Sequence, residues 1–315
     1  MSLLTPLVDT EATAESVRRR LQGQQRDVAG VVFRGALLLA LAFTMIVLAI
    51  LLIDQVTNGW SVLGTRFGDF MTGTLQSIPD AAGIHQGLRG SFWIGVFTIL
   101  IAFPLGIGAG LYLEEYARDT KLTRFINVNI RNLAGVPSIV YGILGFAIFV
   151  KTFGGVTGGR SVIAAGVTLA ILVLPLIIIT SAEAVRAVPD GIREAGFGVG
   201  ATRSEVIRSH VLPYAAPGII TGTILSLARA LGEAAPLILI GAVTNRLGSD
   251  PGILDVGSLN DRFTAMPIVI TTWAGQPQEG FVSLTAAAIV VLLAVVLVAN
   301  AAAILLRNRY ESKRG

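Results

Sequence analysis

VIAAGVTLAILVLPLIIITS, residues 162–181, is a run of twenty residues without one ionisable side chain. At a rise of 1.5 Å per residue, a helix of that length crosses a hydrocarbon core of roughly 30 Å. Lipid offers backbone groups no hydrogen-bond partner, and the run lacks the alternation of a barrel strand, so a helix is the form it predicts. Five further blocks read the same way: 31–53, 92–113, 133–150, 217–242 and 282–306. Gly135, Pro137, Gly142 and Gly145 interrupt the third block in chain order. The expected fold class is an all-α membrane protein with six transmembrane helices.

Composition agrees. Of 315 residues, 53% are hydrophobic and 14% charged, against about 25% charged in a soluble domain. So few charges cannot cover a globular surface of this size, which argues against a soluble enzyme, and the apolar excess excludes intrinsic disorder. With no cysteine there is no disulfide, thiolate nucleophile or Cys-ligated zinc. His85 and His210 stand far apart, so an all-histidine metal site is disfavoured. There is no G-x-x-x-x-G-K-[ST] phosphate loop: the one Lys followed by Ser or Thr is Lys151, and Val150 stands where that motif needs glycine. Zincin and G-x-S-x-G signatures are likewise missing. Any ATP used must be hydrolysed by another subunit.

Positive charge divides sharply between the connections. Counted from the sequence, 17 Lys/Arg fall in the tails and the second and fourth loops, and 6 in the first, third and fifth loops. The positive-inside rule then puts both termini in the cytoplasm, as an even number of spans requires. The net charge of +4 therefore reports orientation and needs no nucleic-acid partner. The first span reads as a retained anchor, because its apolar run outlasts a signal h-region and no A-x-A-like site follows. On these grounds 1–30 is a cytoplasmic tail, 31–53 the first helix, 54–91 an external loop and 307–315 a cytoplasmic tail. Residues 92–306 form the transmembrane body, within which 182–214 is a cytoplasmic loop. Short helices or irregular structure fit 54–91 equally well, and KTFGGVTGGR (151–160) reads as a flexible turn.

Loop 182–214 has internal order. Ile192, Ala195, Gly196 and Val199 recur at helical spacing, Gly200 permits a turn, and Thr202 with Glu205 forms a capping box opening a second short helix. Val206, Ile207, His210 and Val211 make its expected apolar face, closed by Leu212 and Pro213. Two such helices form a compact knob, which serves either as a plain connector or as a docking element.

The run 217–242 holds Arg229 and Glu233 near its middle, where a charge costs about 2.5–3.5 kcal/mol on insertion scales. Four residues apart on one helix, they share a face and pair. A structural ion pair is one reading. A charge lining a water-filled path is the other, and a guanidinium suits an oxyanion. Pro104, Pro137, Pro175 and Pro236 place one internal proline in each of spans two to five, marking these as the inner bundle with spans one and six peripheral. Gly106 and Gly110 give a GxxxG spacing, a packing face.

EAGFGVGATRSEVIRSHVLP resembles the "EAA" loop of ABC importer permeases, falling on Glu194, Ala195, Gly196, Gly200, His210, Leu212 and Pro213. Gly196 replaces a small residue and His210 a branched aliphatic. NIRNLAGVPSIVYGILGFAIF, ILVLPLIIITSAEAVRAVPDGIREA and LARALGEAAPLILIGA are similar to phosphate-specific importer permeases. FTAMPIVITTWAGQPQEGF and ILLRNRY resemble the PstA-type subunit in particular. The resemblance runs from about 91 to 310. It implies the type I ABC importer permease (MetI-like) fold in a cytoplasmic membrane, without enzymatic activity or bound cofactor of its own. It also implies a PstC-like second permease, a PstB-like ATPase dimer using Mg-ATP, a PstS-like binding protein, and inorganic phosphate as cargo. Glu194, Ala195, Gly196, Gly200, Leu212 and Pro213 would couple to the ATPase, and Arg229 and Glu233 would line the substrate path. A permease for molybdate, sulfate or phosphonate, or an ion-coupled transporter with Glu233 carrying a proton, remain the alternatives.

Overall fold

A computed structural model of the chain describes residues 28–243 and 252–311; the tails at 1–27 and 312–315, with the charges counted there, and Arg246 lie outside them. Helix is the regular secondary structure of the described residues, with no strand among them. The chain divides into two units, Met1–Asp54 and Gln55–Gly315. Five helices are long and apolar enough to cross a membrane, six if one bent pair is a single span.

Helix α1 (Val28–Thr65) starts in the first unit, where none of its described side chains is buried. It is longer than the block at 31–53 and runs into the supposed external loop, which is mostly helical. After it come α2 (Phe67–Thr72) and a 3-10 turn at Pro79–Ala81, and α3 (His85–Leu111) starts before residue 91. Arg66 holds the segment by donating to the carbonyls of Pro79, Asp80 and Ala82.

Helix α3 closes in a π turn, Tyr112–Tyr116. The third span is not a single rod. Lys121–Ala134 (α4) and Ser138–Gly145 (α5) with its π extension Phe146–Thr152 meet at 100°. Pro137 has no amide to give the Leu133 carbonyl, four residues back, which accepts instead from the Val136 amide at 3.1 Å and from the Tyr141 hydroxyl at 2.9 Å. The strongly amphipathic sequence of α4 fits the surface of a membrane better than its interior. A one-turn helix α6 (Gly154–Thr157) and left-handed glycines at 158 (φ 78°) and 159 (φ 71°) form the connection to α7 (Val162–Arg186), which Ser161 caps by accepting from the Ala164 amide.

Helix α7 is the centre of the body. Two thirds of its apolar window is buried, against none for α1 and 6% for the last long helix, α13 (Gly280–Glu311). The last span is thus little buried, in keeping with its expected peripheral position. The main core gathers Leu169, Val173 and Ile177 of α7 with Ile94 and Ala102 of α3. A second cluster joins Val62 of α1, Phe70 of α2 and Leu284 of α13 to Met266, Val269 and Trp273 on a helix the sequence had not marked, α12 (Met266–Ala274).

Between α7 and α12 run α8 (Asp190–Gly198), α9 (Arg203–Val206) with a π turn Ile207–Val211, α10 (Leu212–Gly232) and α11 (Ala235–Ile240). Helix α10 begins before 217 and stops at Gly232, so the fifth span is also broken. Pro236 is the cause, since Gly232 is the residue four back whose carbonyl its ring opposes.

Candidate functional site

The knob at 182–214 has the parts its sequence indicated, arranged differently in detail. Gly200 takes a left-handed φ of 83°, and the capping box is formed, with Glu205 accepting from the Thr202 amide at 2.8 Å. Leu212 and Pro213 do not end the second helix. The π turn lies immediately ahead of Pro213, and α9 continues through it into α10 as one run, Arg203–Gly232. The wider π turn also rotates the face: Val206, Ile207 and Val211 are buried, while His210 is exposed instead of packed. Val206 and Val211 form a small core of their own with Val185, Val188, Ala215 and Ile219.

On α8 the expected stripe is only partly inward. Gly196 is buried, and a methyl added there would stand 2.8 Å from Val206 Cγ2, so the two short helices meet at van der Waals contact. Glu194, Ala195 and Gly200 are exposed. Val199 is the C-cap and is 84% exposed, because the helix has already ended at Gly198. Phe197 beside it is also exposed. The free face of the knob therefore carries a carboxylate, Glu194, and two apolar side chains, Phe197 and Val199.

Four charged residues to which the sequence reading gave no such role hold the knob to the body. Arg186 and Arg193 pair with Glu114 and Glu115 of the π turn that closes α3. Next to this turn, the Arg124 guanidinium holds the Asp119 carboxyl below the usual carboxylate range, chiefly by donating hydrogen bonds to it. Only spatial proximity reveals the α3–α8 contact, since 78 residues separate Arg193 from Glu115.

Arg229 and Glu233 are together but not on one helix. Arg229 is in the last turn of α10, while Glu233 is its C-cap with an extended backbone, φ −81° and ψ 119°. Arg229 Nε lies 3.7 Å from Glu233 Oε1, an ion pair too long for a hydrogen bond. Glu233 is 21% exposed and Arg229 51%, so the guanidinium reaches the surface of the chain and keeps donors free for another acceptor. The cavities inside the body are apolar. One of about 390 Å³ lies among α3, α10 and α13, lined by Phe92, Val96, Leu231 and Val295. Another of about 270 Å³ lies among α4, α5 and α7, lined by Tyr141, Leu144 and Pro175. Neither includes Arg229 or Glu233.

Broken membrane spans around one buried helix, with a two-helix knob between α7 and α10, define a transport permease of the type I ABC importer fold. Residues 102–311 match the family model described as "Binding-protein-dependent transport system inner membrane component". The phosphate transport system permease protein PstA of Mycobacterium leprae is 32% identical over 89% of this chain and 87% of its own. PstA of Yersinia pestis is 31% identical over 92% and 93%, respectively. The probable ABC transporter permease protein YqgI of Bacillus subtilis is 36% identical, and the chain spans 62% of its length. A bacterial alginate ABC transporter, crystallised with an alginate-bound periplasmic protein, shares the fold at TM-score 0.60 and 15% identity, covering 90% of this chain and 96% of that one. The chain belongs to the binding-protein-dependent transport system inner membrane component family, as a PstA-type permease.

Proposed function

We propose that the chain is one of two permease subunits of an ATP-driven phosphate importer in the cytoplasmic membrane, with both termini in the cytoplasm. The observation that carries this reading is the half-exposed Arg229 guanidinium, held beside Glu233 where a membrane helix breaks. A fixed cation at that depth is tolerated where it meets water or a passing anion. Its planar donors suit a phosphate oxygen, and the neighbouring carboxylate limits how tightly an anion is held, as conduction requires. Because Arg229 lies on the surface of the chain, the path would close against a PstC-like second permease. The permeases named PstA among the relatives support phosphate as the cargo.

Drive would come from outside the chain. A PstB-like ATPase dimer hydrolysing Mg-ATP would seat the face of the knob that presents Glu194, Ala195, Phe197 and Val199, with Gly196, Gly200, Leu212 and Pro213 shaping it. A PstS-like protein would deliver phosphate at the opposite face. ATP binding closes the ATPase, the knobs move as rigid bodies, and the path opens outward; hydrolysis resets it inward. The test is reconstitution of the four kinds of subunit in vesicles. Phosphate uptake and phosphate-stimulated ATP hydrolysis are expected, with uptake falling about tenfold or more in Arg229→Ala. Unchanged uptake in that variant removes the role of Arg229. Failure of any ATPase to co-purify in mild detergent removes the whole reading.

A further inference from the structure

Two ion pairs meet the π turn at the end of α3, in different settings. Arg186, the last residue of α7, reaches Glu114 through two nitrogens, one at 3.1 Å, and its side chain is 59% exposed. Arg193, on α8, holds Glu115 Oε1 with Nε at 3.1 Å and Nη2 at 2.9 Å, and here the side chains are only 19% and 8% exposed. The rest of the guanidinium is also used. Nη2 donates to the Val185 carbonyl at 2.9 Å, and Nη1 to the Val188 carbonyl at 2.6 Å and to Asp190 Oδ1 at 3.3 Å. One side chain thus ties the end of α3, the last turn of α7, the link that follows it and the first turn of α8.

Helices α3 and α7 leave no slack between themselves. A methyl added at Gly106 would stand 2.6 Å from Ile177 Cγ2, and one at Gly110 would stand 2.9 Å from the Ile178 carbonyl oxygen and 3.0 Å from the Ala182 amide. They pack as one unit, in which a shift of either helix moves the other. The link from α8 to α9 is of another kind: Gly196 lies against Val206, a contact without direction, across a turn at a left-handed glycine. Oriented, charge-assisted hydrogen bonds resist sliding where a methyl contact does not.

We propose that the Arg193–Glu115 pair is the positioning joint that makes α8 move as one body with α3 and α7, so that displacement of the knob reaches this helix pair directly. Its use in transport rests on the reading of the knob as the ATPase-coupling element; its mechanical content rests on geometry alone. Glu115 and Arg193 touch no cargo and act through the helices they join.

The chain has no cysteine, so spin labels go cleanly on Gly191→Cys in α8 and Tyr112→Cys in the π turn, both exposed positions. In the complex purified with its ATPase, the distance between labels should be one narrow population with and without ATP and vanadate. Glu115→Gln, which keeps the volume and an acceptor, and Arg193→Gln should each split that population. Transport per ATP hydrolysed should fall about tenfold, with partial recovery in Arg193→Lys. Arg186→Gln, breaking the exposed pair, should change that ratio less than about twofold. A wild-type distance that shifts with nucleotide overturns the proposal. So does Glu115→Gln with a single narrow distance and wild-type transport per ATP. The label distances decide the joint whatever the cargo, while wild-type uptake alone decides whether phosphate is carried.

Discussion

Substitution at Arg229 tests geometry and charge separately, because a lysine keeps a point charge without the planar fork. Arg229→Lys retains a point charge but loses the planar fork; uptake is expected to fall several-fold, and about tenfold to a hundredfold in Arg229→Gln, where the charge is gone. Initial rates of labelled phosphate uptake in vesicles at fixed ATP check this order; equal rates in the two variants would show that charge contributes nothing. Gly196 gives a structural counterpart. A leucine there would drive into Val206, so Gly196→Leu should cost about 1–3 kcal/mol and release the ATPase from the complex during purification. Arg229 and Glu233 were legible in sequence because a charge inside an apolar run has nowhere to hide. Glu115 and Arg193 were not. Each looks like an ordinary charge in a connection between spans, and only the packing of α3 on α7 makes them partners.

The helices were legible in the same uneven way. Residues 162–181 match α7 closely, since an uninterrupted apolar run has one good conformation in lipid. Prolines were visible, but their consequences were not. Pro104 and Pro175 lie inside continuous helices, whereas Pro137 and Pro236 sit at breaks. The breaks have a glycine close by, Gly135 two residues before Pro137 and Gly232 four before Pro236, where backbone freedom makes leaving the helix cheap. The π turn before Pro213 had no sequence signal, so the end of the knob and the exposure of His210 were misplaced. The close approach of α3 and α7 is directly testable. In Gly110→Leu the new side chain meets backbone that cannot rotate away, so overpacking should cost about 1–3 kcal/mol. At about 2–4 °C per kcal/mol the apparent melting temperature in detergent should drop by several degrees. The same change at Gly108, which has nothing within 4 Å, should leave it unchanged. Equal melting of the two variants would contradict the packing.

For the whole molecule, orientation is the property that charge alone predicts, and the chain is well suited to a test. The 17-to-6 division of Lys/Arg predicts the knob and both tails in the cytoplasm, and the turn at 151–160 outside. The geometry adds a constraint independent of charge. The knob and the turn at 154–160 lie at opposite ends of α7, which at 25 residues spans about 37 Å and can cross the membrane once. As a membrane span, α7 puts the two regions in opposite compartments, and the charge count predicts which is which. With no native cysteine, single replacements at Gly155 and Gly191, both exposed, report this without background. A membrane-impermeant maleimide applied to intact cells should label Gly155→Cys and leave Gly191→Cys untouched until the membrane is permeabilised. Labelling of both in intact cells would remove α7 as a membrane span. The reverse pattern would place the knob outside, away from any cytoplasmic ATPase, and the proposed coupling would fall with it.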